Sequence, residues 1–592
     1  LSNSMGFELK NILSYNKELG NHTVNAMVAH EARGGKYVGI SGQGGGFFDN
    51  NLNSLSLSDA RYRTPSGYRG RYRAESYFGR LFYNYKGLFM LTTSLRADGS
   101  PNFPKDNRWG YFPSFSAAVK ISNFPFFKNN VSVINNLKLN GGYGQVGSDN
   151  VLGGLYRPLV RIQPIGDIKI GGFSSTLQNY DENLRWEATA STNLGLEIGL
   201  FQSRINLQLE VYKKKTVDAL NQLMLPGSVG SGIYIVSNIA SIQNKGFEAT
   251  LNSVNTKGEF SWQTDFTFTL NRNKILDLGK NGEALFGGGN FPLPIFSKSV
   301  EGGPIGRFWG YQTDGLYQSF DDIVLSARWK GVSTVEPKTG LWIGDYKFKD
   351  INTESGKADW KIPGYTASYD GEGNYIPGSA VYTGNASDII TIKKAPIINE
   401  ADQTFIGDPN PKFTFGLNNS FSYKNFDVNI YMVGVFGNDI YNATKASILN
   451  IKYNFNSLAI MKDRAVPVLN DGGNAASIFD YTLKNPDAEV PRLRSGDNFS
   501  SSTVNSRFIE DGSYLRIQNV VLGYNVPSNI VQKIKLANLR FYINAQNLIT
   551  FTKYSGWDPE IGTFAQNSTV SGYETGRYPV ARVIMMGVQV GF

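Results

Sequence analysis

The chain contains no cysteine, and His22 and His30 are its only histidines. Without thiols there is no disulfide framework and no Cys-based zinc centre. With two histidines and no Gly-x-Ser-x-Gly elbow, most His-dependent catalysis is excluded as well. His30-Glu31 does not open an HExxH helix, because residue 34 is Gly. Charged residues are scarce at 18%, and the net charge of +9 is mild for 592 residues. A nucleic-acid binder would gather that charge into a basic stripe. The densest run, Arg61–Arg73 (RYRTPSGYRGRYR), reads instead as a rim or strand of a β-structure with its arginines in water, so nucleic acid is not an expected partner. No run reaches the roughly 18 consecutive apolar residues of a spanning helix. That absence leaves open a barrel, whose alternating strands escape a hydropathy scan. Neither an initiator Met nor a signal peptide stands at Leu1, so the chain reads as a processed product or an internal fragment.

What the chain has is glycine (65 residues), aromatics (13%) and long stretches of period-2 alternation. Leu194, Leu196, Ile198 and Leu200 alternate with Asn193, Gly195, Glu197 and Gly199. After the turn at Gln202-Ser203, Ile205, Leu207, Leu209 and Val211 alternate with Arg204, Asn206, Gln208 and Glu210. The last segment repeats this with Ile584, Met586, Val588, Val590 and Phe592, and Phe541–Gln546 gives a further case. One apolar and one polar face at this spacing means β-strand. These strands run to about ten residues or more, beyond the usual length in soluble domains. Tyr and Phe crowd their ends (Tyr83, Tyr85, Phe89; Tyr423, Phe426, Tyr431), as an interfacial girdle requires.

Connection lengths alternate too. Tight turns are predicted near Lys17–Gly20, Tyr85–Gly87, Gln202–Ser203, Thr256–Gly258 and Tyr423–Asn425. Between them lie long connections at 34–68, 147–185, 215–243, 273–410, 438–510 and 550–577. Short turns on one side and long loops on the other is the plan of an outer-membrane barrel, with the turns periplasmic. The expected fold is therefore all-β, a transmembrane antiparallel β-barrel occupying residues 1–592 with long extracellular loops. Turn spacing gives about fifteen strands, from Phe7–Asn16 to Tyr578–Phe592. An odd count means either that the barrel is incomplete within this chain or that the count is off by one; in the first case, since an open edge is not allowed in lipid, Phe7–Asn16 is expected to pair with a strand from elsewhere.

Several segments, in order, resemble SusC/RagA-type TonB-dependent outer-membrane transporters. They are Leu95–Ser100 (LRADGS), Asn107–Ser114 (NRWGYFPS), Leu137–Gly144 (LKLNGGYG), Asn183–Glu187 (NLRWE), Thr192–Leu196, Asn244–Glu248 (NKGFE), Ile406–Pro411 (IGDPNP), Phe508–Gly523, Asn544–Thr552 (NAQNLITFT), Asp558–Glu560 and Tyr578-Pro579. The resemblance implies a 22-stranded barrel filled by an N-terminal plug. It further implies a SusD-like surface lipoprotein as lid, energy from TonB–ExbB–ExbD, and oligosaccharide or oligopeptide cargo. No plug, TonB box or carboxypeptidase-like extension is recognised, so those would come from a region outside this chain. Phe592, a terminal aromatic, is similar to the signal read by the barrel-insertion machinery; it is also a residue that would simply face lipid.

Candidate sites are few. Gly42–Gly46 (GQGGG) lacks the Lys-Ser/Thr of a P-loop and reads as flexible loop, as do Gly302, Gly303 and Gly306. Asp350–Gly356 (DINTESG) has the alternate oxygens of a calcium loop, which makes Asp350 and Asn352 weak candidates for a structural Ca²⁺. Its Gly comes one residue late and no bidentate Glu follows at the required spacing. An insertion separates these residues from Glu400 and Asp402, and a solvated acidic loop is the default. Cargo contact would need aromatic platforms and polar side chains. Trp309, Tyr311, Tyr317, Trp329, Trp342 and Trp360 in one loop, and Tyr441 and Tyr453 in another, offer them. Of these, Trp309, Tyr311, Tyr317 and Tyr441 are taken as the candidate cargo contacts, although a loop tryptophan serves equally to pack its own loop. The expected function is one component of an energised importer. The rivals are a passive plugless pore, the barrel half of a split translocation complex, and a soluble β-sandwich binding module; no enzymatic activity is expected.

Overall fold

The computed structural model describes every residue except 1, 50, 52–53, 152–154, 158–177, 225–233, 280–283, 289–293, 331–339, 354–355, 450–455, 494–502 and 562–567. The chain divides into two compact units, Leu1–Lys257 with Gln263–Glu283, and Gly258–Trp262 with Ala284–Phe592.

The first unit is built from long strands in simple sequence order: β1 (Ser2–Leu19), β2 (His22–Gln43), β3 (Thr64–Tyr85), β4 (Phe89–Gly99), β5 (Trp109–Lys120), β6 (Ile134–Ser148), β7 (Glu187–Leu200), β8 (Ile205–Met224), β9 (Tyr234–Thr256) and β10 (Phe260–Asp277). Each is the neighbour of the next, and the registered pairs are antiparallel. The second unit continues the pattern with β11 (Phe413–Tyr423), β12 (Phe426–Phe436), β13 (Tyr514–Asn525), β14 (Asn538–Thr552) and β15 (Val583–Gly591). Ten strands and five make the expected fifteen. Among the described residues β1 pairs only with β2 and β15 only with β14.

The alternation read from the sequence becomes two chemically distinct faces. In the second unit Ile584, Met586 and Val588 stand opposite Ala545, Ile543 and Phe541. The last two stand opposite Leu522 and Tyr524 on β13, giving an apolar exposed face. The other face carries Arg540, Asp427 and Asn525, joined by hydrogen bonds. Glycine has a packing role at Gly587, where a Cβ would fall inside the ring of the cross-strand Tyr542.

The five tight turns lie where expected. One places Phe201, Gln202 and Ser203 all in the left-handed region and is pinned by Asn135, which exchanges two hydrogen bonds with Ser203. Two connections on the same side, 121–133 and 526–537, are longer and contain the short helices Pro125–Asn130 and Ser528–Val531.

Two predicted long loops are corrected. The two ends of 34–68 are strand, since β2 runs to Gln43 and β3 begins at Thr64, and the connection itself shortens to 44–63. Most of 215–243 is strand as well, since β8 ends at Met224 and β9 begins at Tyr234. Of the Gly-, Tyr-, Arg- and Lys-rich stretches there, 34–43 and 64–68 have most side chains on both faces exposed, so no apolar face shows, and at 215–243 Leu220 and Val236 pack against the Phe103, Leu155 and Leu184 cluster at isolated positions. The pairing of backbone groups, not burial of one face, holds them extended. The connections at 147–185, 273–410, 438–510 and 550–577 are long as expected.

The second unit's long connections fold into a body of their own. One core joins Tyr317, Phe320, Ile323, Trp342, Ile343, Trp360, Ile390 and Ile398. A second joins Phe296, Phe308, Tyr441, Phe508 and Tyr573. Short sheets tie distant loops together: Asp439–Asn442 is flanked by Ile509–Asp511 and by Tyr573–Glu574, and Arg307–Tyr311 pairs with Gln403–Gly407.

Candidate functional site

The polar face of the first unit carries a cleft of about 530 Å³. Its floor is strand: Arg33 on β2, Ser76 on β3, Ser94, Arg96 and Asp98 on β4, Ser114 on β5, Ser191 on β7. Alternation puts them on one face, because Ser94 and Ser114, and Asp98 and Ser76, are cross-strand partners. The Ser94 and Ser114 hydroxyls lie 2.6 Å apart. Arg96 Nε donates to both Asp98 oxygens at 2.8 and 2.9 Å, its other end reaches Glu31 at 4.0 Å, and the guanidinium sits 5.2 Å from the Phe78 ring centroid.

The rim is a knot of loop residues. Trp186 donates Nε1–H to Arg108 O at 3.1 Å and packs against Phe103 and Phe112. Asn107 donates to Asn183 O, and Ser100 Oγ to Asp149 at 2.6 Å. LRADGS, NRWGYFPS and NLRWE thus meet at one place. The cleft offers hydroxyls, an Arg–Asp pair and aromatic edges, a surface for a ligand rich in both hydrogen-bond donors and acceptors. Sequence reasoning had the segments but not their convergence. The available signal was Arg96 and Asp98 two apart on one strand, hence on one face.

The second unit has an equivalent knot. Asp408 N–H donates to Asp439 at 2.8 Å, and Asn410 to Ile305 O. Buried Arg516 binds Asp558 at 2.5 Å and Glu560 at 2.7 Å. Glu510 accepts from Lys445 Nζ at 3.0 Å, from Ser555 Oγ and from Ser555 N–H. A smaller cleft of about 280 Å³ is lined by Thr313, Leu316, Tyr346, Lys445, Glu489 and Arg507, with Arg507 lying 4.9 Å over the Tyr346 ring.

None of the four candidate cargo contacts lines either cleft. Tyr317 is buried and donates its hydroxyl to Ala327 O at 2.7 Å; burial pushes its pKa up. Tyr311 is buried 4.7 Å from the Trp329 ring, and burial raises it to about 12. Tyr441 stacks on Tyr573 at 5.2 Å, nearly parallel, inside the second core. Trp309 is half-buried, donates Nε1–H to Gln403 at 2.8 Å and carries the Lys298 ammonium 3.9 Å from a ring centroid. In this structure these residues hold loops together. Trp342 and Trp360 are buried likewise, and Tyr453 lies outside the described residues.

Asp350 and Asn352 do meet Asp402 across the insertion. The fully buried Asp402 accepts from Ile351 N–H and Asn352 N–H, both at 3.0 Å, and from Asn399 N–H at 2.8 Å. Burial and then the Asp402 carboxyl push Asp350 above the usual carboxylate range. Among the described residues no group of three or more His, Asp or Glu is placed to hold a metal ion. Asp402 is committed to backbone N–H groups, as a loop cap is. Phe592 follows β15 and is 96% exposed.

A family model described as "TonB dependent receptor-like, beta-barrel" matches residues 3–387. TonB-dependent receptor P3 of Formosa agariphila is 29% identical over 98% of this chain and 52% of its own length. TonB-dependent receptor SusC of Bacteroides thetaiotaomicron is 27% identical over 98% of this chain and 49% of its own. The chain therefore spans about half the length of the curated relatives it matches. In fold, the whole chain superposes on 56% of a chain of the RagAB peptide transporter, with a TM-score of 0.72 at 20% identity. Fifteen antiparallel strands, a polar face gathering the motif segments and a family model covering most of the sequence lead to one assignment: the chain belongs to the TonB-dependent receptor β-barrel family, with SusC among its relatives and the RagAB transporter sharing its fold.

Proposed function

We propose that the full-length protein is an outer-membrane importer of oligopeptides or oligosaccharides, and that this chain supplies most of its barrel wall and cargo chamber. The supporting observation is that all of this chain, loop body included, follows the fold of the RagAB peptide transporter. In this reading the apolar faces lie in the bilayer and the long connections lie outside the cell. A SusD-like lipoprotein docks over the loop body as a lid, and the barrel-insertion machinery reads Phe592 from the periplasmic side. The strands that complete the barrel, the plug and the TonB contact come from the rest of the protein. Opening then depends on TonB–ExbB–ExbD pulling the plug, while the wall contributes shape and affinity.

The cleft around Arg96 and Asp98 is the proposed cargo-facing surface of the first unit. A ligand there would exchange hydrogen bonds with Ser94, Ser114 and the Arg96–Asp98 pair.

The test is uptake and conductance measured on the full-length protein. Cargo uptake by whole cells should stop when the proton gradient is collapsed, and the purified barrel should hold a planar bilayer closed. Steady ion conductance with uptake indifferent to the gradient would establish the passive pore instead. R96Q/D98N should lower the apparent affinity for cargo by about tenfold, the scale of one lost charge-assisted contact, with the barrel still folded.

A further inference from the structure

The basic run Arg61–Arg73 remains unassigned by the transport reading. Among the described residues β3 has no partner on its β4 side above Glu75. The hairpin β2–β3 nevertheless continues from Gly34↔Arg73 to Gln43↔Thr64, with β1 alongside as far as Ser2. Its two faces differ sharply. Tyr37, Tyr68 and Tyr72 lie on one, their rings filling the space that a Cβ on Gly70, Gly39 and Gly35 would need. Arg69, Arg71 and Arg73 lie on the other, with Lys36 directly opposite Arg71.

This basic face continues the apolar one. Gly34, opposite Arg73, packs beneath the Phe7 ring, 2.9 Å from where a Cβ would be, and Tyr77, Leu81 and Tyr83 follow down β3 on the same side. All four cations are exposed, and none makes an ion pair among the described residues. Glu75, the next residue of this face on β3, is held by Tyr77 Oη at 2.7 Å and His30 Nε2 at 3.1 Å.

An aromatic belt lies just below. Tyr77 stacks on His30 at 4.8 Å and stands 6.1 Å from Trp109. From Tyr77 to Tyr85 at the opposite end of β3 is nine residues, the span of a tilted strand crossing a bilayer. Aromatic belts mark the membrane–water interface. Arg73 is four residues further out, about 13 Å along the strand, and the arginines repeat every second residue, about 7 Å apart. Cations at that height meet headgroups, and a guanidinium fork matches a phosphate.

We propose that Lys36, Arg69, Arg71 and Arg73 form a docking site for an anionic, phosphate-bearing lipid headgroup of the outer leaflet. This rests on the reading that the apolar face lies in the bilayer with the long hairpin outside. The bound lipid would anchor a hairpin that otherwise has a free edge and would fix the height of the barrel in the membrane.

The experiment is lipid analysis by mass spectrometry of the full-length protein extracted from native membranes and washed in mild detergent. Wild type, K36Q/R69Q/R71Q/R73Q and the control K213Q/K214Q/K215Q are compared, with heat-modifiable gel mobility confirming a folded barrel. If the quadruple variant fails to fold, R71Q alone is used. The expected result is a phosphorylated lipid retained by wild type and control and reduced at least tenfold by the stripe variant. In nanodiscs, the phosphorylated lipid should rebind and its dephosphorylated form should not. Equal retention by wild type and stripe variant, equal binding of the dephosphorylated lipid, or a preference for soluble polyphosphate over the lipid would each overturn the site. Quenching by brominated lipid that is lost in W109F tests the membrane reading separately. Quenching with unchanged lipid retention sinks the stripe alone, whereas no quenching sinks the placement in the bilayer.

Discussion

At the scale of single residues, the loop body depends on a few buried charges. Arg492 Nε donates to Asp345 Oδ1 at 2.9 Å and its Nη2 to Oδ2 at 3.1 Å, with both side chains at least 95% buried. Removing one partner leaves an uncompensated charge in the core. Asp345→Leu or Arg492→Met should therefore each cost about 3–5 kcal/mol, and the double variant should recover much of it. Chemical unfolding followed by protease sensitivity of the loop body would show this, and a double variant as unstable as the singles would refute it. Glu510 and Asp350 make opposite predictions in acid. Burial pushes Glu510 up, but Ser555 and Lys445 outweigh it and hold the carboxyl below its usual range. Its contribution is present above the unfolded value and lost as pH falls through the folded one. Asp350 is raised, by burial first and Asp402 second, so its junction gains stability as pH falls through that raised value. Amide exchange between about pH 4 and 7 should find Glu510→Gln weaker than wild type at neutral pH, with the difference shrinking in acid. Asp350→Asn should be more protected than wild type at neutral pH and equal to it in acid.

At the scale of elements, cross-strand fit limits what a strand tolerates. A side chain at Gly587 would occupy the Tyr542 ring, so Gly587→Val should destabilise the β14–β15 pair by about 1–3 kcal/mol, the usual cost of overpacking. The combination with Tyr542→Ala should restore the wild-type temperature of heat modification. A Gly587→Val barrel as heat-resistant as wild type would show that the ring simply turns away. The strands themselves were legible where one face is apolar, as in 194–200, 205–211 and 584–592. They were misread at 34–43, 64–68, 215–224 and 234–243, where polar residues occupy both faces. Hydrophobic periodicity reports burial of one whole face, and a hairpin without a continuous apolar face has none to report. The short helices at 125–130 and 528–531 were missed for a related reason. Each is too short to show a 3.6-residue repeat.

At the scale of the whole molecule, the chain has fifteen strands and a loop body and spans about half the length of the curated relatives it matches, so the proposed import is tested on the full-length protein. Deleting residues 439–510 from the full-length protein should leave an inserted, heat-modifiable barrel while abolishing cargo uptake. That follows if the loop body folds on its own cores and not on the strands. Loss of the folded barrel in that deletion would show instead that the loops and the wall form one cooperative unit.

The sequence alone determined the fold class, the fifteen strands, the tight turns and the family, because each is written in local spacing: a period of two, a turn residue, a motif in order. Only the tertiary structure decided what those residues do. Trp186 and Arg108, Asp402 and Asn352, Arg516 and Asp558 are far apart in the chain and meet only once it has folded. The loop aromatics that a sequence offers as binding platforms became core, because a loop of more than a hundred residues must bury apolar surface of its own before it can hold a shape. Likewise a basic run with no evident purpose became two faces, tyrosines on one and arginines on the other, once pairing with β2 fixed which side each residue faces.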